Sequence, residues 1–150
     1  MKVAVYPGSF DPITIGHVDI AIKAMNVFDK VIIGVGENKE KTYMFPINKR
    51  LEYISKSFNN EKKIIVKSYR GLTVDFCHQN DSKYIVRGIR DQSDFDFEKN
   101  IAHTNREISG IETVYFLTNP NKTFVSSSIV RDLIINKGDY KLFIPRGVTI

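Results

Sequence analysis

The 150 residues carry 42% hydrophobic and 26% charged side chains with a formal net charge of +5. That is the balance of a folded globular chain and the wrong one for a disordered segment. The apolar runs are only a few residues long, far below the roughly 18 needed to span a bilayer, and the lone cysteine, Cys77, excludes an internal disulfide and any multi-cysteine metal centre. One core, and so one domain over residues 1–150, is expected of such a length. No export signal precedes Tyr6-Pro7-Gly8, and a cytoplasmic, reducing setting is the simplest reading.

Taken in order, Val3-Ala4-Val5-Tyr6 is a short apolar run stopped by Pro7-Gly8 and predicts a buried strand. Val18, Ala21, Ile22, Met25 and Phe28 share one face at helical spacing, so a helix is expected over 18–28. Strands are predicted at Val31–Val35, Ile64–Val66, Tyr84–Val86 and Thr113–Leu117. Helices are predicted at Ile47–Phe58, Leu72–Gln79, Phe95–Ile108 and Ser128–Asn136. Strands apolar on both faces and flanked by helices imply an α/β fold: a doubly wound, parallel, five-stranded sheet covered on both sides. Ligands of such sheets lie beyond the carboxyl ends of the strands, where the strand order reverses.

The loops at those ends carry the chemistry. After the first strand come Gly8, Ser9 and Phe10, and then Thr14-Ile15-Gly16-His17 at a helix start, where free amides and the dipole favour an anion. His17 is either a phosphate-facing donor or a half-buried helix-start residue. There is no Walker A loop, because no Gly-Lys-Ser/Thr closes the glycine spacing, and the dinucleotide fingerprint begun by Gly34 and Gly36 fails because its third glycine position holds Lys39. Those two glycines are expected to permit close packing. Lys39 and Lys41 reach the same edge, as solvated charges or as phosphate ligands.

Arg87-Gly88-Ile89-Arg90, read as a loop, offers two guanidinium groups that can grip phosphate oxygens or pair with Asp91 or Asp94. Lys122-Thr123-Phe124-Val125-Ser126-Ser127-Ser128 supplies hydroxyls at the last helix start: one as a cap, the others free to face a phosphate. The acids Asp91, Asp94, Asp96 and Glu98 suit a helix beginning better than a metal site, and no protein metal ligands are assigned. His78, His103 and Cys77 read as structural or exposed. The lysines and arginines form no basic arm or aromatic-interleaved stripe, so nucleic-acid binding is not expected.

Thr14-Ile15-Gly16-His17 resembles the TxGH signature of the nucleotidyltransferase superfamily, and Ser126-Ser127-Ser128 with Arg131 resembles its serine-rich second signature. The fuller series is similar to the bacterial phosphopantetheine adenylyltransferase family: the YPGSFDPIT-GH loop, the lysine loop ending in Met44-Phe45, VRGIR, DFDFE with AHTNR, and FVSSS, in that order from Lys2 to about Pro145. The resemblance implies a Rossmann-like sheet of order 3-2-1-4-5. It also implies transfer of AMP from ATP to 4′-phosphopantetheine, giving dephospho-coenzyme A and pyrophosphate, the penultimate step of coenzyme A synthesis. Mg2+ would accompany ATP, and a cytoplasmic homohexamer is the implied assembly, with no membrane partner. Carried over by motif, His17, Lys41 and Arg90 would be catalytic. Ser9, Lys41, Leu72, Thr73, Arg87 and Asn105 would hold the phosphopantetheine. Ser9, Phe10, His17, Gly88, Ile89, Arg90, Glu98, Lys122, Thr123, Phe124, Val125, Ser126, Ser127 and Ser128 would surround ATP. Ser9 keeps the hydroxyl of the threonine found in many members, whereas Thr73 stands where methionine is common.

In-line attack of a phosphate dianion on the α-phosphorus needs positioning and positive donors rather than a protein nucleophile or a general base. His17, Lys41, Arg87 and Arg90 are read as those donors. A related nucleotidyltransferase with another acceptor or nucleotide is the alternative.

Overall fold

In a computed structural model describing residues 1–150, five parallel strands form one sheet in the order β3-β2-β1-β4-β5. The elements are β1 (Val3–Gly8), α1 (Ile15–Met25), β2 (Lys30–Gly36), α2 (Ile47–Ser57), β3 (Ile64–Tyr69), α3 (Thr73–Gln79), β4 (Tyr84–Ile89), α4 (Gln92–Ser109), β5 (Glu112–Leu117) and α5 (Ser127–Ile135). Short 3-10 turns at Pro120–Lys122 and Tyr140–Phe143 flank α5.

The period-2 alternation of the strands feeds two cores, one on each face of the sheet. Ala4, Tyr6, Val31, Ile33, Val35 and Val86 pack with Ile20, Ala21 and Ala24 of α1, Tyr53 and Ile54 of α2, and Val130 of α5. Val5, Ile32 and Ile85 point the other way, onto Val74, Phe76 and Cys77 of α3 and onto Ile111. The double cover expected from the apolar runs is present but uneven: α4 buries only Glu98 of its 18 residues.

Three of the boundaries that differ from those predicted bear on the site. Arg87, Gly88 and Ile89 are not a loop; they continue β4, pairing with Tyr115, Phe116 and Leu117 of β5. Two polar or glycine positions hid a strand that keeps its ladder while its side chains leave the core. α1 starts at Ile15 rather than Val18, with Thr14 as N-cap. α4 starts at Gln92 rather than Phe95, because Asp91 caps it by accepting Asp94 N–H (2.9 Å).

Gly34 does permit close packing: a Cβ there would lie 2.7 Å from Phe76 Cε1, under the stacked Tyr69–Phe76 pair (centroids 4.4 Å apart). Gly88 lets α1 sit tightly on β4, since its Cβ would lie 2.7 Å from Ile20 Cγ1.

The register explains where the molecule opens. β1 pairs with β2 through Gly8, and β4 with β5 through Ile89, but β1 and β4 are partnered only at Ala4–Tyr84 and Val5–Ile85. Beyond those rungs the two strands separate. The order of the chain reverses between them, so the crevice sits at the topological switch point.

Candidate active site

Two adjoining cavities occupy the crevice. The larger, about 690 Å³, is lined by Lys39, Lys41, Tyr43, Tyr69, Thr73, Ile101, Asn105 and Thr113 among others. The smaller, about 300 Å³, is lined by Phe10, Thr14, Gly16, His17, Gly88, Arg90, Val125, Ser126 and Ser127 among others. Pro7, Gly8, Ser9, Arg87 and Glu98 line both and form a common wall.

The first loop is held by its own side chains. Phe10 has φ 47°, in the left-handed region that costs a non-glycine residue about 1–2 kcal/mol. Burial of its ring offsets that strain: Phe10 is 2% exposed and makes edge contacts with Tyr6 (5.3 Å) and His17 (4.9 Å). Gly8 makes room for the same ring, since a Cβ there would lie 3.0 Å from Phe10 Cε2. Gly8 thus serves the phenylalanine two residues on.

His17 completes a capping box. Its backbone N–H donates to Thr14 Oγ1 (3.4 Å), and Thr14 N–H donates to His17 Nδ1 (3.0 Å). A ring whose Nδ1 accepts carries its proton on Nε2 when neutral. Burial, reinforced by the charges of Arg87 and Arg90, lowers its pKa to about 4. His17 is therefore a neutral donor through Nε2–H near pH 7, not the cation expected from the sequence.

The arginines correct the expected cradle of free positive charge as well. Arg87 donates to Glu98 from Nε (3.0 Å) and Nη2 (2.6 Å), and from Nη1 to Pro7 O (2.8 Å) across the crevice. Burial alone would lower its pKa, but the bonds and charge of Glu98 outweigh that and raise it. Three of its five N–H groups are used, leaving two. Arg90 takes the predicted partner: its backbone N–H, Nε and Nη2 all reach the Asp94 carboxylate (2.9, 3.0 and 3.1 Å), which the guanidinium holds below the usual carboxylate range. Lys39 and Lys41 are the cations of the crevice without a salt bridge, since Arg70 pairs with Glu37 (3.3 Å).

The three serines have separate partners. Ser126 caps α5 by accepting Ile129 N–H (3.2 Å), which leaves its own hydroxyl proton free toward the smaller cavity. Ser127 spends its proton on Pro12 O (2.8 Å), tying α5 to the first loop. Ser128 accepts from Arg131 Nη2 (3.1 Å). Gly16 and His17 at the start of α1 and Ser126 and Ser127 at the start of α5 line the same cavity, and first-turn amides not taken by a cap lack intrahelical partners.

Of the residues expected to hold phosphopantetheine, Ser9, Lys41, Thr73, Arg87 and Asn105 meet in the larger cavity. Of those expected around ATP, Ser9, Phe10, His17, Gly88, Arg90, Glu98, Val125, Ser126 and Ser127 meet in the smaller. Leu72, Ile89, Lys122, Thr123, Phe124 and Ser128 line neither: Leu72 is 59% exposed at the start of α3, and Ile89 is buried.

A cytidylyltransferase-like family profile matches residues 5–133. The chain is 48% identical to the phosphopantetheine adenylyltransferase of Flavobacterium psychrophilum over all of this chain and 99% of that protein. It is 47% identical to that of Bacteroides fragilis over 99% of each. The chain belongs to the phosphopantetheine adenylyltransferase family. Fold likeness reaches further, to a bifunctional NMN adenylyltransferase/ADP ribose pyrophosphatase from Francisella tularensis (TM-score 0.69, 18% identity, 94% of this chain and 48% of that one).

Family membership puts a metal in question, and the donor set answers it. No group of three His, Cys, Asp or Glu side chains is placed to hold an ion. The acids nearest the smaller cavity, Asp94 and Glu98, are engaged by Arg90 and Arg87. The residues present do not form a resident metal centre.

Sequence reasoning missed two buried groups that shape the site. The Asp11 carboxylate accepts Met44 N–H and Phe45 N–H (both 2.8 Å), and Arg50 is 2% exposed. Arg50 shares a helical face with Tyr53 and Ile54, a register that would be apolar but for the charge.

Proposed function

We propose that this protein transfers the adenylyl group of MgATP to 4′-phosphopantetheine, forming dephospho-coenzyme A and pyrophosphate. An oxygen of the acceptor phosphate bonds to the α-phosphorus as the bond to the β-phosphate bridging oxygen breaks, and the electron pair leaves with pyrophosphate. The observation that carries this reading is the division of the crevice: acceptor-type residues gather in one cavity, nucleotide-type residues in its neighbour, and Ser9 and Arg87 stand in the shared wall.

In this reading Lys41 supplies the uncompensated charge that draws the acceptor phosphate, and the two spare N–H groups of Arg87 orient it. His17 Nε2–H, the Ser126 hydroxyl and the helix-start amides receive the triphosphate. They favour the transition state because charge accumulates on the leaving oxygens they face. No side chain need remove a proton, since a phosphate dianion is already a nucleophile near neutral pH. The homohexamer and the cytoplasmic setting belong to the same proposal; support for assembly comes from α4, which leaves Phe97 and Ile108 69% and 60% exposed.

Pyrophosphate release with MgATP and 4′-phosphopantetheine tests the reaction. Release that requires both substrates and falls sharply with CTP in place of ATP is expected. No release, or equal release with other phosphorylated acceptors, would sink the assignment.

A further inference from the structure

Arg50 is the largest fully buried side chain of the molecule, and none of its hydrogen bonds goes to a carboxylate. A guanidinium taken out of water without a counter-ion is costly unless its donors are met with good geometry. Here three of the five are met by carbonyls: Nη1 donates to Ser9 O (2.9 Å) and Gly36 O (3.0 Å), and Nε to Phe45 O (3.1 Å). The Tyr43 ring covers the cation, with its centroid 3.9 Å from Cζ.

These four contacts share one consequence. Gly36 ends β2 and Phe45 closes the loop that follows, so the guanidinium grips that loop at both ends and, through Tyr43, in its middle. Lys39 and Lys41 ride on the gripped segment. Lys41 has no salt bridge or side-chain hydrogen bond of its own, so its place is set by its backbone. The remaining contact, Ser9 O, belongs to the wall shared by the two cavities. Asp11 fastens the same loop end through the Met44 and Phe45 amides.

We propose that Arg50 is a positioning residue that holds Lys41 against Ser9 and thereby builds the acceptor-phosphate end of the larger cavity. Its Nε, both Nη1 N–H groups and one face of the guanidinium are taken up by the contacts named above, so its effect on the acceptor passes through the loop it holds. The inference rests on the adenylyl-transfer reading for the identity of the acceptor. Lysine cannot replace it, because a single ammonium cannot span three carbonyls in different directions while stacking on a ring.

Calorimetric titration of 4′-phosphopantetheine and, separately, of MgATP into the wild type, Arg50→Lys, Lys41→Ala and the double variant tests the idea. Arg50→Lys should weaken acceptor binding about tenfold, the value of one charge-assisted bond, while MgATP binding stays within about twofold. In the Lys41→Ala background the same substitution should change acceptor binding by less than about twofold, because its effect passes through the missing lysine. Equal weakening of both ligands, or the full tenfold loss persisting without Lys41, would show a general structural role and overturn the proposal. Should Arg50→Lys not fold, Tyr43→Leu, at a half-buried position of the exposed loop, takes away the aromatic face over the guanidinium and is read in the same cycle with the same criteria. Pyrophosphate release by the wild type is measured alongside: its absence would sink the reaction assignment, while the binding cycle still decides the role of Arg50.

Discussion

His17 shows how neighbours decide what a side chain can do. Thr14 N–H occupies Nδ1, and burial with two nearby guanidinium groups brings the pKa to about 4, so Nε2–H is the one donor the ring offers to the smaller cavity. A donor bond to a group gaining charge contributes about 1.5–3 kcal/mol. His17→Ala should accordingly lower kcat for pyrophosphate release ten- to a hundredfold with little change in the KM for ATP. Steady-state kinetics read both, and undiminished turnover would remove the ring from the mechanism. Stability carries a second mark of the same environment. An unfolded histidine titrates near 6.5 and this one near 4, so between those values the unfolded chain binds the extra proton and folding weakens as pH falls. Above 6.5 the penalty is absent; by pH 4 it reaches on the order of 2 kcal/mol, allowing for the ring's partial access to solvent. Urea midpoints at pH 7 and pH 4.5 should therefore drop further in the wild type than in His17→Gln; equal drops would contradict the lowered pKa. The position of His17 at a helix start was legible from Thr14-Ile15-Gly16-His17. Its charge state was not, because that depends on Arg87 and Arg90, which only the fold brings near.

The strands were readable because each is an apolar run between turn residues, and all five predicted strands and all five predicted helices exist. What could not be read was where a strand outlives its apolar run. β4 continues through Arg87 and Gly88 because the ladder with β5 is satisfied there and the arginine leaves the core for the crevice. Helix starts hid in the same way: a capping box completed by histidine instead of glutamate or glutamine falls outside the usual pattern. The two tightest glycines separate fold from site. Gly34→Ala would drive a methyl into Phe76 beneath the Tyr69 stack, remote from His17, and overpacking of this kind costs about 1–3 kcal/mol. Gly88→Ala meets Ile20 on α1, one turn beyond His17, and its methyl displaces the helix that carries the imidazole. Thermal melts should show comparable losses for the two, while kcat falls at least about tenfold more in Gly88→Ala, since small misplacements of a reacting geometry are amplified in rate. Equal kcat values would mean that α1 absorbs the methyl without moving the ring.

Arg87 joins parts of the molecule that the sheet itself lets separate. Past Val5 and Ile85 no ladder holds β1 to β4, and the bond from Arg87 Nη1 to Pro7 O spans that opening. Its other edge is forked onto Glu98 of α4, the one residue that helix buries, and Tyr115 Oη donates to Glu98 O from β5. One ion pair thus ties β1, β4, β5 and a helix that otherwise contributes little to the core. The site gains a rigid wall at the expense of net charge, which explains why Lys41 rather than the arginines is left to attract an anion. Breaking a fully buried pair by removing one partner costs about 3–5 kcal/mol; the Arg87 side chain is 35% exposed, so solvent screens the surviving charge and the cost is smaller. Glu98→Gln keeps the shape and one acceptor, so a loss nearer 2–3 kcal/mol is expected, seen as a fall of roughly 5–10 °C in the melting temperature. The kinetic consequence has the opposite sign for binding and for rate. The freed positive charge should leave KM for both phosphorylated substrates unchanged or lower, while kcat falls about tenfold as the guanidinium loses its fixed direction. A raised KM with unchanged kcat would instead place Glu98 in substrate binding and release Arg87 from its role as the strut of the crevice.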